Sequence, residues 1–429
     1  MGIKKLFTFL DNNNLYKKYS YLNDLILDLN IDKNKLLVGV DGNLFCHKYT
    51  HSYDNMLIGF FNQILKFLSN KIIPLYIFDG GTLQEKENTN LFRYYKKIAY
   101  KHKLEQVEEQ IDVIENTKNT CNYDELYNKD ELLLMKKKFE KNSTIINNGN
   151  ILTLLELFDL LNIPYLFSYG EGEYLAVMLN KYNIIDFFLT DDTDPLPAGI
   201  YKTIKFYNNS VYYLETRQIY QQLNLTSKEF CDFCILLGSD YAIFNHCLKP
   251  IEVYELILKY KSIEEIISNN VIDCVNNDFI KIVNKIRNIY FGSDNFEKNM
   301  FIKNKIFFDS DINSQTALNV AIKSIASSIE TSSINLIIDH TDMSYYSNII
   351  LEFWDEYIDI ISLELNTLND DVLIAKSNKF KFNICNYICK SKFNIKNIIK
   401  FIKNNIDDIT DDEIDNMVTS FEFLNNFGI

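Results

Sequence analysis

Four short apolar runs, each running into acidic residues, constrain this chain more than any other feature. "KLLVGV" leads directly into Asp41 and "IIPLYIF" into Asp79. "IPYLFS" stops just before Glu171, and "IIDFFLT" is followed by Asp191, Asp192 and Asp194. Apolar runs of this length, without polar alternation, match strands buried on both faces. Helical stretches separate them: "MLIGFFNQILKFLSN" precedes the second run and "ILTLLELFDLLN" the third. This alternation predicts an α/β domain on a parallel sheet.

The acids then share a place. Open parallel sheets bind ligands beyond the carboxyl ends of their strands. Asp41, Asp79, Glu171, Glu173, Asp192 and Asp194 fall there, and Asp240 follows the apolar segment "CDFCILLG". Seven carboxylates on one edge repel one another in a partly dry cleft, so they need cations. An all-oxygen donor set that keeps some water suits Mg²⁺ or Mn²⁺. Two such ions about 4 Å apart form the clamp used for in-line phosphoryl displacement. Glu171 and Glu173 stand two apart, a spacing that does not share one helix face. At a loop-to-helix junction both can still turn toward one cluster, and Gly172 lets the backbone pack closely. The alternative for this pair is a charged helix N-terminus, favoured by the macrodipole. It does not account for the other five acids.

Between Gly81 and Asn148 the pattern changes to polar helices with little apolar face, which predicts a helical insertion standing off the sheet. After "CILLGSDY" comes another helical segment, "PIEVYELILKYKSIEEIISN". From about Ser268 the chain is rich in Asn, Ile and Lys and is expected to be mainly helical. A length of 429 residues suggests two domains, or one large domain with an appendage. The net charge of -14 argues against a generic nucleic-acid coat but leaves room for local cations that grip phosphate.

The start lacks a signal-peptide core, and no apolar run reaches membrane-span length. The eight cysteines are therefore expected to be intracellular, reduced thiols. Cys231 and Cys234 form a CxxC, but within an apolar helical segment, and Cys385 and Cys389 have similar surroundings. Core cysteines are the favoured reading over a zinc site. The opening "MGIKKL" has Leu6 where a myristoylation signal needs Ser or Thr.

Taken in order, "MGIKKL", "VDGNLF", "IFDGG", "NIPYLFSYGEGEYLAV", "TDDTD" and "CILLGSDY" resemble the flap endonuclease/XPG family of 5′ nucleases. The match runs from Met1 to about Ile267. The composition and divergent tail are similar to the flap-endonuclease-like proteins of large cytoplasmic DNA viruses, poxviruses in particular. The resemblance implies a PIN-like nuclease core at 1–267, with a helical arch at about 81–148 and a DNA-binding helical hairpin at about 238–267. The region 268–429 is left as a C-terminal helical part of unassigned role.

The resemblance also implies roles for individual residues. Asp41, Asp79, Glu171, Glu173, Asp192, Asp194 and Asp240 match the metal-binding acids, for two Mg²⁺ ions with Mn²⁺ able to substitute, and Asp191 matches a less critical neighbour. Lys86 and Arg93 match cations that contact the scissile phosphate, and Lys96 and Lys97 continue the basic face. The alternative for Lys86 and Arg93 is a solvated helix. Gly2 matches an N-terminus tucked near the site, and His47 falls near the aromatic that stacks on a flipped base.

Two departures stand out. The family's hairpin carries a Gly-hydrophobic-Gly turn that binds a monovalent cation. Here Cys247, Leu248 and Lys249 precede Pro250, so Lys249 is expected to contact phosphate directly. The terminal "MVTSFEFLNNFGI" lacks the glutamine and paired aromatics of a sliding-clamp peptide.

The implied activity is metal-dependent endonuclease or 5′-3′ exonuclease cleavage of flapped, nicked or branched DNA. Its expected setting is the host cytoplasm with viral replication and recombination proteins, the nucleus being the alternative. A haloacid-dehalogenase-like phosphatase fails because Gly39 stands where that family's nucleophile belongs. A DNA-binding scaffold on a nuclease fold would be expected to lose acids, and all seven are present.

Overall fold

The strands expected from the apolar runs form the middle of a seven-stranded mixed sheet. The computed structural model describes residues 2–31, 36–53, 55–80, 86–116, 123–168, 171–241, 248–272, 279–291, 370–390, 392–406 and 409–427. In chain order the strands are β1 (Lys17–Tyr19), β2 (Leu36–Asp41), β3 (Ile72–Phe78), β4 (Tyr165–Phe167), β5 (Phe187–Leu189), β6 (Lys202–Tyr207) and β7 (Ser210–Glu215). They are arranged β1-β7-β6-β5-β2-β3-β4. β4, β3, β2, β5 and β6 run parallel, as expected. β7 and β1 add an antiparallel edge that the sequence reading did not foresee.

Burial of both faces explains the continuous apolar runs. Along β3, Ile73, Leu75 and Ile77 enter one core, while Ile72, Tyr76 and Phe78 enter the other. The first core is covered by α1 (Leu6–Asn12), α8 (Gly172–Lys181), α9 (Thr216–Leu223), α10 (Ser227–Leu237), α11 (Pro250–Tyr260) and α12 (Ile263–Ser268). The helix at 279–291 and the helix Asp370–Lys390 pack on the same side. The second core is covered by α2 (Leu22–Asp28), α3 (Gly42–Ser52), α4 (Met56–Ser69) and α7 (Asn148–Leu160). It also takes the helices Ile395–Asn405 and Asp411–Phe427. Cys231, Cys234 and Cys385 are buried side chains of the first core.

The insertion is two helices, α5 (Glu87–Asn116) and α6 (Tyr123–Ser143), packed along each other. The inward stripe of α5 runs Arg93, Lys97, Tyr100, Leu104, Val107, Ile111, all buried or half-buried. The alternating four- and three-residue steps keep that stripe on one face, as helix geometry demands. Lys136 of α6 reaches Glu108 of α5 at 3.0 Å. Of the expected hairpin turn, Cys247 lies outside the described residues, as do residues 292–369 of the C-terminal region.

Candidate active site

Each expected acid leaves the carboxyl end of its strand or the helix that follows. Asp41 ends β2 and caps α3: its Oδ1 accepts from Leu44 N at 2.9 Å, and its Oδ2 from Thr190 Oγ1 at 2.8 Å. Asp79 follows β3 and accepts from Gly172 N at 2.6 Å, while its own N–H donates to Asn43 at 3.1 Å. A Cβ on Gly172 would stand 3.2 Å from the backbone of Phe78 and 3.3 Å from Asp79 Oδ1. A side chain there would crowd the acid that the N–H anchors. Glu171 is the N-cap position of α8 and Glu173 lies in its first turn.

Asp192 organises its own loop, accepting from Thr193 N at 2.7 Å. Gly2 closes over it. With φ of +78°, a Cβ at Gly2 would meet Asp192 Oδ1 at 1.8 Å, so only glycine fits. Ile3 N donates to Thr193 Oγ1 at 3.0 Å, and Lys4 N to the Gly238 carbonyl at 2.9 Å. The N-terminal segment is thereby tied to the loops that carry Asp192 and Asp240. Asp191 stands aside, paired with Lys48 at 2.8 Å.

The carboxylates feel one another. Burial first, and then nearby acids, push Asp41 up to about 7 and Asp79 up to about 8. Burial and repulsion from Asp192 raise Glu173 and Asp194 well above the usual carboxylate range, and Asp194 also feels Asp240 and Glu171. Lys86 sits among them, its Nζ 2.5 Å from Glu171 Oε2 and 5.0 Å from the Tyr241 ring centroid. Burial works against its charge, but Glu171, Glu173 and Asp194 outweigh this and hold its pKa well above the ordinary lysine value. Arg93 reaches Asp240 at 2.5 Å, and Thr89 Oγ1 donates to the Asp240 carbonyl at 2.8 Å. Lys86 and Arg93, the two cations expected to meet phosphate, rest here on acids, the nearest partly desolvated counter-charge.

Among the described residues, no three His, Cys, Asp or Glu side chains close into a group that could hold an ion as they stand. The acids gather around the Lys86 ammonium instead. The donor set nonetheless fits a hard cation. Glu171 Oε1, Glu173 Oε2 and both carboxylate oxygens of Asp194 are buried without hydrogen-bond partners. Orphaned oxygens of that kind are costly unless something completes them.

The expected DNA-contacting residues divide. His47 on α3 is half-buried, and its pKa is lowered to about 4 by burial and by Lys97, His51 and Arg93. Those groups therefore meet at the foot of the insertion. Lys96 points to solvent on α5, and Lys249 is exposed at the N-cap position of α11, its N–H bonded to Glu252 at 2.6 Å. Thr190, Thr193, Asn43 and Tyr241 also shape the site and were not singled out from the sequence. Hydroxyls beside the acids in "TDDTD" were the available signal for the threonines.

Comparison with known proteins places this geometry. The XPG N-terminal domain model matches residues 1–98 and the XPG I-region model residues 162–240. Over those two segments the chain is similar to the flap endonuclease/XPG family. Flap endonuclease 1 of Enterocytozoon bieneusi is 26% identical over 62% of this chain and 72% of its own length. Flap endonuclease 1-B of Xenopus laevis is 27% identical over 54% of this chain and 57% of its own. A probable RAD2-like endonuclease of Invertebrate iridescent virus 3 is 25% identical over 69% and 91%. Among solved structures, the catalytic core of Rad2 in complex with DNA substrate aligns with a TM-score of 0.45 at 17% identity, over 68% of this chain and 86% of that one. Among the described residues no helix is long and apolar enough to cross a membrane.

Proposed function

We propose that this chain is a Mg²⁺-dependent, structure-specific DNA nuclease that cuts phosphodiester bonds at flaps, nicks or branched junctions. The convergence of seven carboxylates on one sheet edge, two of them paired to cations from the insertion, carries this reading. Asp41, Asp79, Glu171, Glu173, Asp192, Asp194 and Asp240 would hold the metal. Bound there, a divalent cation supplies Lewis acidity toward water and phosphate. The rest is the work of the chain itself. Thr190 Oγ1 donates to Asp41 and the Thr193 N–H to Asp192, so these two carboxylates keep their orientation. Lys86, held among the acids, and Arg93, paired with Asp240, would transfer to phosphate oxygens as charge develops there. His47, Lys97 and the exposed Lys96 and Lys249 would steer the strands. The burial of Phe421 supports a partner set without a sliding clamp seated on the terminal segment. The chain's proposed setting is a cytoplasmic viral replication site, the nucleus being the alternative.

The test is cleavage of end-labelled flapped, nicked, gapped, four-way and single-stranded DNA in Mg²⁺, Mn²⁺ or EDTA. Cutting of branched substrates that EDTA abolishes is expected. Binding to those substrates without cutting in either metal would leave a DNA-binding scaffold instead.

A further inference from the structure

A buried aromatic ring lies against the Lys86 ammonium. Tyr241 follows Asp240 directly, is buried, and has its ring centroid 5.0 Å from Lys86 Nζ. Three contacts fix that ring. Its hydroxyl shares a 2.5 Å hydrogen bond with the hydroxyl of Tyr174, on the helix that carries Glu173. Its backbone N–H donates to Ser239 Oγ at 3.3 Å. Tyr290, fully buried, meets it edge-on, with centroids 5.8 Å apart and planes at 85°. We propose that Tyr241, braced by Tyr290, is the positioning residue that holds Lys86 for phosphate once a divalent ion takes the carboxylate beside it. The proposal rests on the nuclease reading above and adds to it an aromatic pair.

Lys86 has two partners of different kinds. Glu171 bonds it at 2.5 Å, but Glu171 also belongs to the acids assigned to the metal, and its Oε1 is buried without a hydrogen-bond partner. An ion that engages Glu171 weakens the grip of that carboxylate on Lys86. The ring cannot be drawn away in this manner. Its face attracts a cation through the ring quadrupole, most strongly where water is excluded. Its hydroxyl is already bonded to Tyr174, and it carries no charge to cancel that of the ammonium. A face contact therefore keeps Lys86 beside the acids with its charge intact and its N–H donors available to a phosphate oxygen. The brace comes from further along the chain. Arg287 stands one turn before Tyr290 on the helix at 279–291 and bonds Asp232 Oδ1 at 2.7 Å and Glu264 Oε2 at 2.9 Å. Asp232 lies on α10, which leads into Asp240, and Glu264 lies on α12. Tyr290 is thus held against the ring by more than its own packing.

The test places phenylalanine with none, one, two or three ring fluorines at position 241 of the full chain. This series withdraws electron density from the ring face at nearly constant shape. On flapped DNA in Mg²⁺, kcat is expected to fall stepwise along it, to roughly a tenth at three fluorines, with KM little changed. Tyr241→Phe itself should stay within about threefold of wild type. Tyr241→Leu should lose roughly tenfold to thirtyfold in kcat. Tyr290→Leu should lower kcat in the same direction and Tyr290→Phe should not, because the edge contact needs the ring. A merely structural role would give rates that track melting temperature and ignore fluorination. A second measurement needs no catalysis. In EDTA, urea denaturation of wild type, Lys86→Met, Tyr241→Leu and the double variant should show coupling of roughly fivefold in the folding equilibrium constant. Rates indifferent to fluorine, or substitutions that simply add in EDTA, would overturn the proposal while cleavage of flaps kept the nuclease reading. Coupling in a chain that cuts no DNA in Mg²⁺ or Mn²⁺ would remove the nuclease reading and the phosphate role with it, leaving Tyr241 as the seat of a structural lysine.

Discussion

Asp192 orders its loop, leaves room only for glycine at position 2 and repels Glu173 and Asp194. Asp192→Asn should therefore reduce cleavage in Mg²⁺ by roughly 10³-fold while flapped DNA still binds. Single-turnover kinetics beside gel-shift titration would show it, and wild-type turnover would refute the metal assignment. Arg93→Ala should lower kcat by roughly 10²-fold with affinity little changed; a merely solvated arginine would leave the rate alone. His47 makes a prediction about pH. Its folded pKa of about 4 lies below the ordinary histidine value of 6.5, so between those limits the unfolded chain binds a proton that the folded chain refuses. The His47 contribution to stability should fall as pH drops from about 6.5 toward about 4, opposite in sign to that of the buried acids Asp41 and Asp79, whose raised pKa values make the folded chain the better proton binder. The melting temperature of His47→Phe relative to wild type should therefore rise across that window as pH falls. The positions of the acids were legible in the sequence, because each follows an apolar run. The partners of Lys86 and Arg93 were not, because a sequence says where a cation sits along the chain and not which anion is nearest in space.

At the level of elements, strands buried on both faces announced themselves and those at the edge did not. β6 mixes Lys and Thr with Ile, Phe and Tyr, β7 mixes Ser and Glu with Val, Tyr and Leu, and β1 has only three residues, too few for a pattern. The turn signal was nonetheless present: Asn208 and Asn209 take positive φ values of 48° and 57°, as a two-residue hairpin requires. The helix Asp411–Phe427 was equally hard to place from its composition. In the structure its Phe421 is fully buried, with ring centroids 6.1 Å from Phe61 and 5.1 Å from Phe393, while Phe423 faces solvent. Phe421→Ala should cost about 3–5 kcal/mol, through lost burial and the cavity left behind. Phe423→Ala should be nearly neutral. Urea denaturation of the two variants, read at equal slope, is the check. Equal midpoints would show that the helix does not carry core packing.

For the whole molecule, an excess of acid on the surface and inside one cleft sets a condition on stability. Repulsion among the clustered carboxylates opposes folding until a counter-charge is supplied. A ligand that binds only the folded chain stabilises it, by about 2.7 kcal/mol at a hundred times its Kd. Mg²⁺ should thus raise the melting temperature above that in EDTA. Asp194→Asn should melt higher than wild type in EDTA, because a buried charge is gone, and should gain less from Mg²⁺. Calorimetric traces of wild type that coincide with and without the ion would count against the site.

The distribution of the two cores along the chain also has a meaning in time. The helices at 395–427 complete one face of the sheet and the helix Asp370–Lys390 helps to close the other, yet ribosomes make them after every acid of the site. At about 5–20 residues per second the interval from Asp240 to these helices is on the order of ten seconds or more. Through that interval the nascent chain carries its full set of acids on a sheet whose faces are not yet fully covered. Competence to cut would then arrive only once these helices are made, so a message broken before them would yield a chain with every site residue and no settled fold to hold them.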